Sequence, residues 1–331
     1  MSAFFFYNQF AKLKIRIRIY DIPGEESNSQ LMFTMRGIGM LVFYNHKQQV
    51  DECQSYSPSA RKPRLVVQAW KKEGKVEVKR VKPLNEDLIS LAHDKSYVRG
   101  IFNLKTKNGF GNKSKEIAES LRWTTGSFVS AAVYAYQNRT TVFSPTSGFH
   151  HACYDHAEGF CTFSGLTLAG LILNKFYGVK RVGIIDFDSH PGNGTLNTIE
   201  RTGSQNLFCH YSLGYERVNH GNRVEWLDRL PKLLKTFNDC QIILYQAGMD
   251  CHEDDPLVMS GHFSDEQIYE RDLVVFDTFK KLSIPLVCNL AGGYQEPLQK
   301  VIDLHNLTAK AYFNVINKGG ERWHSEENMV K

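Results

Sequence analysis

Short apolar runs alternate with longer helix-periodic segments along most of the chain. Apolar runs of strand length occur at residues 140–143, 182–185, 207–213, 242–245 and 285–290. Helical periodicity predicts helices at residues 64–71, 88–101, 116–137, 167–177, 225–237, 265–282 and 296–316. Such an alternation favours parallel strands that are joined by right-handed helical crossovers. The pattern therefore predicts an α/β fold with an open, mostly parallel sheet flanked by helices.

The same pattern divides the chain into three parts. Residues 12–19, KLKIRIRI, alternate strictly between basic and apolar side chains, which predicts a strand with one basic face. Residues 1–39 are therefore interpreted as an N-terminal extension that forms a surface β-hairpin. A core strand is predicted from Leu41, so that residues 40–316 make a single α/β domain, and residues 317–331 form a polar tail.

The composition is that of an ordinary globular protein. Of the 331 residues, 42% are hydrophobic and 23% are charged, which does not indicate disorder. A net charge of +5 is too small to predict nucleic-acid binding, and no apolar run approaches the roughly 18 residues that span a bilayer. Seven cysteines without framework spacing favour free thiols in a reducing compartment. We expect a cytoplasmic protein with no direct nucleic-acid partner and no transmembrane segment.

A metal site is predicted where the strand at residues 182–185 ends. Asp186, Asp188 and His190 follow at two-residue intervals, so in extended backbone their side chains share one face. Two carboxylates and an imidazole side by side are unfavourable unless a cation compensates them. Their oxygen and nitrogen atoms suit zinc or a similar first-row metal. The alternative is a polar turn after a core strand, because Pro191 and Gly192 end the strand.

Three other apolar strands also lead into polar side chains. They are followed by His150 and His151, by Asp250 and by Tyr294. Because ligand sites in open parallel sheets lie beyond the carboxyl ends of the strands, we expect these groups to converge with the metal-ligating residues. Taken singly, the histidines could be solvated, Asp250 could cap a turn, and Tyr294 could belong to the core.

Five sequence blocks, in this order, resemble the zinc-dependent histone deacetylase superfamily. They are SPTSGFHHA, GFCTF, DFDSHPGNGT, AGMD followed by DP, and AGGY. The similarity extends from about residue 41 to about residue 307, and its nearest type is the bacterial deacetylase-like proteins and the acetylpolyamine amidohydrolases. The resemblance implies an arginase/deacetylase-like fold, with residues 40–316 as the catalytic domain.

The resemblance also implies a role for each matching residue. It implies the catalytic residues His150, His151, Tyr294, Asp186 and Asn193, the zinc ligands Asp188, His190 and Asp250, and a substrate tunnel lined by Phe160, Gly159 and Gly292. One zinc ion is expected per chain. A structural potassium ion is expected at Asp186, Asp188 and His190, with further ligands near Tyr211 and Ser212.

The two histidines are expected to differ because their partners differ. Asp186 would lie behind His150 and favour its cationic form, while the neutral amide of Asn193 would do so less for His151. We therefore expect His151 to be the principal acid and base and His150 to give electrostatic support. Tyr294 would donate its hydroxyl to the oxyanion. The loop of residues 103–114 is expected to border the substrate entrance.

These features predict a zinc-dependent amide hydrolase that removes acetyl or other acyl groups from lysine side chains or polyamines. Its partners would be acylated lysine peptides or proteins, or acetylated polyamines. One alternative is a non-catalytic acyl-lysine-binding protein that retains the fold, and another is a dimanganese ureohydrolase. The sequence leaves the natural substrate, the acyl chain length and the oligomeric state open. Without a recognisable regulatory tail, a stand-alone bacterial enzyme is expected.

Overall fold

Seven parallel strands form one sheet in the computed structural model, which describes residues 39–51 and 55–317. The strands are β1 (Met40–Phe43), β2 (Val76–Lys79), β3 (Thr141–Phe143), β4 (Val182–Asp186), β5 (Phe208–Ser212), β6 (Ile242–Gln246) and β7 (Leu286–Asn289). Their order in the sheet is β2-β1-β3-β7-β6-β4-β5. All described residues belong to one compact unit. The α/β prediction is therefore confirmed, and the sheet is parallel throughout.

The sheet order explains why distant polar residues can meet. Strands β3, β7, β6 and β4 are consecutive neighbours, although they are far apart in the sequence. In register, Asp186 at the end of β4 lies opposite Gln246 of β6, and Gln246 lies opposite Asn289 of β7. Because these strands are parallel, their carboxyl ends form one continuous edge.

Nine helices surround the sheet within the described residues. They are α1 (Lys62–Glu73), α2 (Glu86–Ile89), α3 (Lys95–Phe102), α4 (Lys115–Asn138), α5 (Gly165–Tyr177), α6 (Asn193–Arg201), α7 (Arg223–Lys235), α8 (Asp265–Lys281) and α9 (Gln299–Asn317). Ser264 caps α8 in a capping box with Gln267. Gly178 ends α5 in the left-handed conformation, with φ of 75°. None of these helices is both long and apolar enough to cross a membrane.

The core anchors the residues that follow β4. Phe187 lies between Asp186 and Asp188 in the sequence, and its ring is fully buried on the opposite side of the backbone. Its ring packs against Trp226 and Tyr245, with centroid separations of 5.2 and 5.6 Å. Loss of a buried phenylalanine side chain typically costs about 3–5 kcal/mol. The two aspartates are thus held in place by the aromatic residue between them.

Several predicted elements differ from the structure. The single helix expected at residues 88–101 is wrong, because α2 and α3 are separated by a break that contains His93 and Asp94. The Asp94 carboxylate caps α3, accepting hydrogen bonds from the main chain of Ser96 and Tyr97. Strand β2 and helix α6 have no counterpart in the predicted elements, and α9 begins at Gln299 rather than at residue 296.

The two predicted terminal segments lie outside the described residues. The expected hairpin of residues 1–39 falls there except for Gly39, which precedes β1. The expected polar tail of residues 317–331 also falls there, except for Asn317 at the end of α9. Both remain predictions.

Candidate active site

Asp186 ends β4 as a fully buried carboxylate with a complete set of partners. One oxygen accepts hydrogen bonds from the Gln246 side chain (2.9 Å) and from the main-chain N–H of Asp188 (3.1 Å). Its other oxygen lies 2.8 Å from Nδ1 of His150. These contacts orient the His150 ring toward the carboxyl edge of the sheet.

Asp188, His190 and Asp250 form a cluster of metal-ligating atoms. One ligand atom from each lies within 4.8 Å of the others. The His190 Nδ1 is 2.9 Å from Asp250 Oδ2 and 3.2 Å from Asp188 Oδ1. Main-chain N–H groups hold the remaining oxygens: Gly292 donates to Asp188 Oδ2 (2.9 Å), and Ser189 donates to Asp250 Oδ1 (3.0 Å).

The electrostatics of this cluster suit a cation. Asp188 and Asp250 are both buried, and both carry carboxylates in the same small space. Burial and the charge of Asp188 raise the pKa of Asp250 to about 7. A divalent ion would relieve the repulsion between the two carboxylates. Two carboxylates and one imidazole are ligands that commonly bind zinc. The residues present therefore fit a zinc ion.

His150 and His151 lie side by side, with ring centroids 3.9 Å apart, but their surroundings differ. Burial opposes the cationic form of His150, yet the charges of Asp188 and Asp186 outweigh it and raise its pKa to about 9. Burial lowers the pKa of His151 to about 4, and the neighbouring positive charge on His150 acts in the same direction. The pair thus favours one cationic and one neutral ring.

A chain of hydrogen bonds leads outward from His151. Its Nδ1 lies 2.6 Å from Oδ1 of Asn193, and the Asn193 Nδ2 donates to Glu158 at 2.9 Å. A carboxylate only accepts hydrogen bonds, so the Asn193 group that faces Glu158 must be the amide nitrogen. The amide oxygen of Asn193 therefore faces His151. The proton of neutral His151 then sits on Nδ1, and Nε2 is left free.

Aromatic rings form the wall beside the cluster. Phe160 lies 5.8 Å from Tyr294 and 5.2 Å from Tyr56, measured between ring centroids. Gly159 packs against His151 so closely that a Cβ would overlap the ring, and its φ is 51°. Burial and the nearby charge of Asp250 raise the pKa of Tyr294 well above its ordinary value, so its hydroxyl stays protonated.

Comparisons with known proteins show which families this chain is similar to. The sequence model of the histone deacetylase domain matches residues 58–213. Histone deacetylase 2 of Arabidopsis thaliana is 29% identical over 173 residues, which cover 47% of this chain and 44% of that protein. A "Probable deacetylase" of Methanothermobacter thermautotrophicus is 29% identical over 44% of this chain and 50% of that protein. Over residues 58–213, the chain is similar to the histone deacetylase superfamily.

The fold of the chain is also shared with a solved structure. The crystal structure of the HDA15 HD domain superposes with a TM-score of 0.67, at 17% identity, over 84% of this chain and 91% of that one. At this identity the likeness concerns the fold. In sequence, the alignments span about half the length of the two relatives.

The loop of residues 103–114 lies next to the aromatic wall of the candidate site. The Phe110 ring is 6.2 Å from the Phe160 ring, and the Gly109 N–H donates to the Thr162 hydroxyl at 2.9 Å. The loop is therefore anchored beside Phe160. Its expected role at the substrate entrance remains a prediction.

Three residues beside the site were missed by sequence reasoning. Lys62, on α1, is fully buried and donates to the main-chain oxygens of Ala291 (2.7 Å) and Gly292 (3.2 Å), three and two residues before Tyr294. Burial lowers its pKa to about 8, against the attraction of nearby aspartates. The other two are Tyr56, 65% exposed beside Phe160, and Glu158. No sequence motif marks any of them.

The expected potassium site remains a prediction. Ser212, at the end of β5, accepts a hydrogen bond from the Gly192 N–H at 3.0 Å, and its hydroxyl lies 3.5 Å from the main-chain oxygen of His190. Asp186 lies opposite Ser212 in the register of β4 and β5. These groups are oxygen-rich, as a hard cation requires.

Proposed function

We propose that the chain is a zinc-dependent amide hydrolase that removes acetyl or other acyl groups from lysine side chains or from polyamines. The observation that carries the proposal is the cluster of Asp188, His190 and Asp250 beside the histidine pair. The three possible metal ligands and the two histidines lie together at the carboxyl ends of the strands, where open α/β sheets commonly bind ligands. The match of residues 58–213 to the histone deacetylase domain supports the same reaction class.

Asp188, His190 and Asp250 would hold the zinc ion. Three protein ligands leave coordination positions open, and bound zinc supplies an activated water with a pKa near 7 and a polarised carbonyl. Gly292 and Ser189 would orient the two carboxylates through the N–H contacts described above. Asp186 would orient His150 through a hydrogen bond and would not be a zinc ligand.

His151 is proposed to move the proton. Its free Nε2 can take a proton from the attacking water, and the resulting imidazolium can deliver it to the departing amine. Asn193 and Glu158 hold the ring in the required tautomer. His150 stays cationic beside Asp186 and stabilises negative charge without exchanging its proton. Tyr294 donates its protonated hydroxyl to the carbonyl oxygen as negative charge develops there, an effect commonly worth about 3–4 kcal/mol.

The walls of the site suit an acylated alkylamine. Phe160, Tyr294 and Tyr56 present apolar ring surface to a linear alkyl chain, and Gly159 lets that wall approach His151 closely. Both acyl-lysine and acetylated polyamines contain such a chain next to the amide. The proposed substrates are therefore acylated lysine peptides or proteins, or acetylated polyamines.

The test is hydrolysis of a fluorogenic acetyl-lysine peptide and of acetylated polyamines, with and without a hydroxamate chelator, alongside metal analysis. We expect chelator-sensitive turnover and one zinc per chain. Asp188→Ala should lose zinc, whereas Tyr294→Phe should keep zinc and lose turnover by about 100-fold or more. Zinc-loaded protein without turnover would support an acyl-lysine-binding role, and two manganese ions per chain would support a ureohydrolase. Either outcome would overturn the proposal.

A further inference from the structure

A second group of metal-ligating side chains lies in the loop between His151 and Phe160. Cys153, His156 and Glu158 place one ligand atom each within 4.8 Å of the others. The spacing is C-x2-H-x-E, and the Cys153 N–H donates to the main-chain oxygen of His156 at 3.1 Å, which closes the turn. None of the three is among the expected zinc ligands.

The thiol of Cys153 gives this group its chemical character. Its residue is 4% exposed, and within the described part of the chain the thiol makes no hydrogen bond. Burial, together with the charge of Glu158, raises its pKa to about 11, so the thiol stays protonated until a cation displaces the proton. His156 and Glu158 are exposed, so an ion can reach the group from solvent.

We propose that Cys153, His156 and Glu158 bind a second divalent transition metal of the zinc or cobalt class. Sulfur, nitrogen and oxygen donors together select these metals over magnesium or calcium, which prefer oxygen alone. Three protein ligands leave room for a water molecule in a tetrahedral shell.

The second metal would act on the first site through Glu158. The same carboxylate accepts the hydrogen bond of Asn193, which in turn holds His151. A metal on Glu158 draws electron density from that carboxylate and weakens its bond to Asn193. Occupancy of the second site is therefore expected to lower turnover. This effect on turnover rests on the proposed function, whereas metal binding at the second site is independent of it.

Cobalt(II) titration of the metal-free full chain tests the binding without reference to activity. We expect two equivalents to bind, one of them with a near-ultraviolet thiolate-to-cobalt absorption band, because the cluster of Asp188, His190 and Asp250 contains no sulfur. Cys153→Ala should lose one equivalent and the band. Cys209→Ala, which removes a half-buried thiol on β5, is the matched control and should keep both.

A second variant guards against a folding defect in Cys153→Ala. His156→Ala removes an exposed ligand and should weaken cobalt binding at the second site by more than about tenfold, since loss of even an indirect metal contact commonly costs 10–100-fold. A wild-type chain that binds one cobalt without the band would overturn the proposal. So would a band that survives Cys153→Ala or disappears in Cys209→Ala. If the cobalt–thiolate band is observed but the protein has no deacylase activity, the second metal site is supported and only the proposed function is refuted.

Discussion

Acidification is expected to destabilise the fold through His93, a fully buried imidazole between α2 and α3. Its Nδ1 lies 3.0 Å from the main-chain oxygen of Cys153, and its Nε2 accepts the Ser164 N–H at 2.8 Å. The neutral ring thus donates at one nitrogen and accepts at the other. Protonation would place a second N–H against the N–H of Ser164, and burial also disfavours the charge. The pKa of His93 is lowered to about 4.

The magnitude follows from proton linkage. An unfolded histidine takes up its proton near pH 6.5, so between pH 6.5 and 4 the unfolded chain binds more protons than the folded one. Stability is therefore lost as the pH falls through this window, and the loss is complete below about pH 4. The full effect of His93 is about 3 kcal/mol, of which about 2 kcal/mol is lost by pH 5. A typical domain has only about 5–15 kcal/mol of stability.

His93→Gln isolates this contribution, because glutamine keeps one N–H donor and one acceptor but does not titrate. Urea unfolding of both proteins at pH 7 and pH 5 gives the free energies of unfolding. Other buried histidines, such as His210 and His305, titrate in both proteins and cancel in the comparison. We expect the wild type to lose about 2 kcal/mol more than the variant between these pH values. Equal losses would refute the assignment of the effect to His93.

Two further substitutions probe the active site. Glu158→Ala removes the acceptor for the Asn193 amide and should lower kcat about fivefold with KM unchanged, since such a hydrogen bond is worth about 1 kcal/mol. Glu158→Gln keeps an acceptor, so its kcat should stay within about twofold of the wild-type value. Steady-state kinetics check this, and equal losses in both variants would contradict it. Gly292→Ala places a Cβ onto the Asp250 carboxylate, so zinc retention in dialysis should fall by at least about tenfold, while Gly221→Ala in an exposed loop should retain zinc. Full zinc content in Gly292→Ala would show that the carboxylate can shift freely.

The sheet and the cluster of ligands could be predicted because both depend on local patterns. Buried parallel strands are apolar runs of four to six residues, and β4, β6 and β7 are buried at every position. The two-residue spacing of Asp186, Asp188 and His190 is visible in the sequence itself, although the strand ends at Asp186 and the backbone bends at residues 188–190. The strand order does not follow from the sequence, but any parallel sheet places the carboxyl ends on one edge, so the convergence could be expected without it.

The elements that were missed depend on contacts between distant segments. Strand β2 is a four-residue edge strand with charged, exposed positions, so it lacks the apolar signal of the central strands. The break at His93 is stabilised by the loop around Cys153, sixty positions later, which no helical period reveals. Burial of Lys62 is possible because its ammonium group donates hydrogen bonds to main-chain oxygens of a segment 229 and 230 positions away. A lysine in a helix otherwise predicts a solvated face.

The loop that connects the histidine pair to α5 contains both Glu158 and the main-chain groups that bind His93. His93 binds both of its ends, through the main-chain oxygen of Cys153 and the N–H of Ser164. Glu158 lies between these two points, so its reach to Asn193 depends on how firmly the loop ends are held. Both ends of the loop are anchored in the core, which restricts movement of the loop as a whole when an ion binds at Cys153 and Glu158. Any adjustment must then occur at the Glu158 side chain, which is why a metal ion there is expected to be felt at the acid–base histidine.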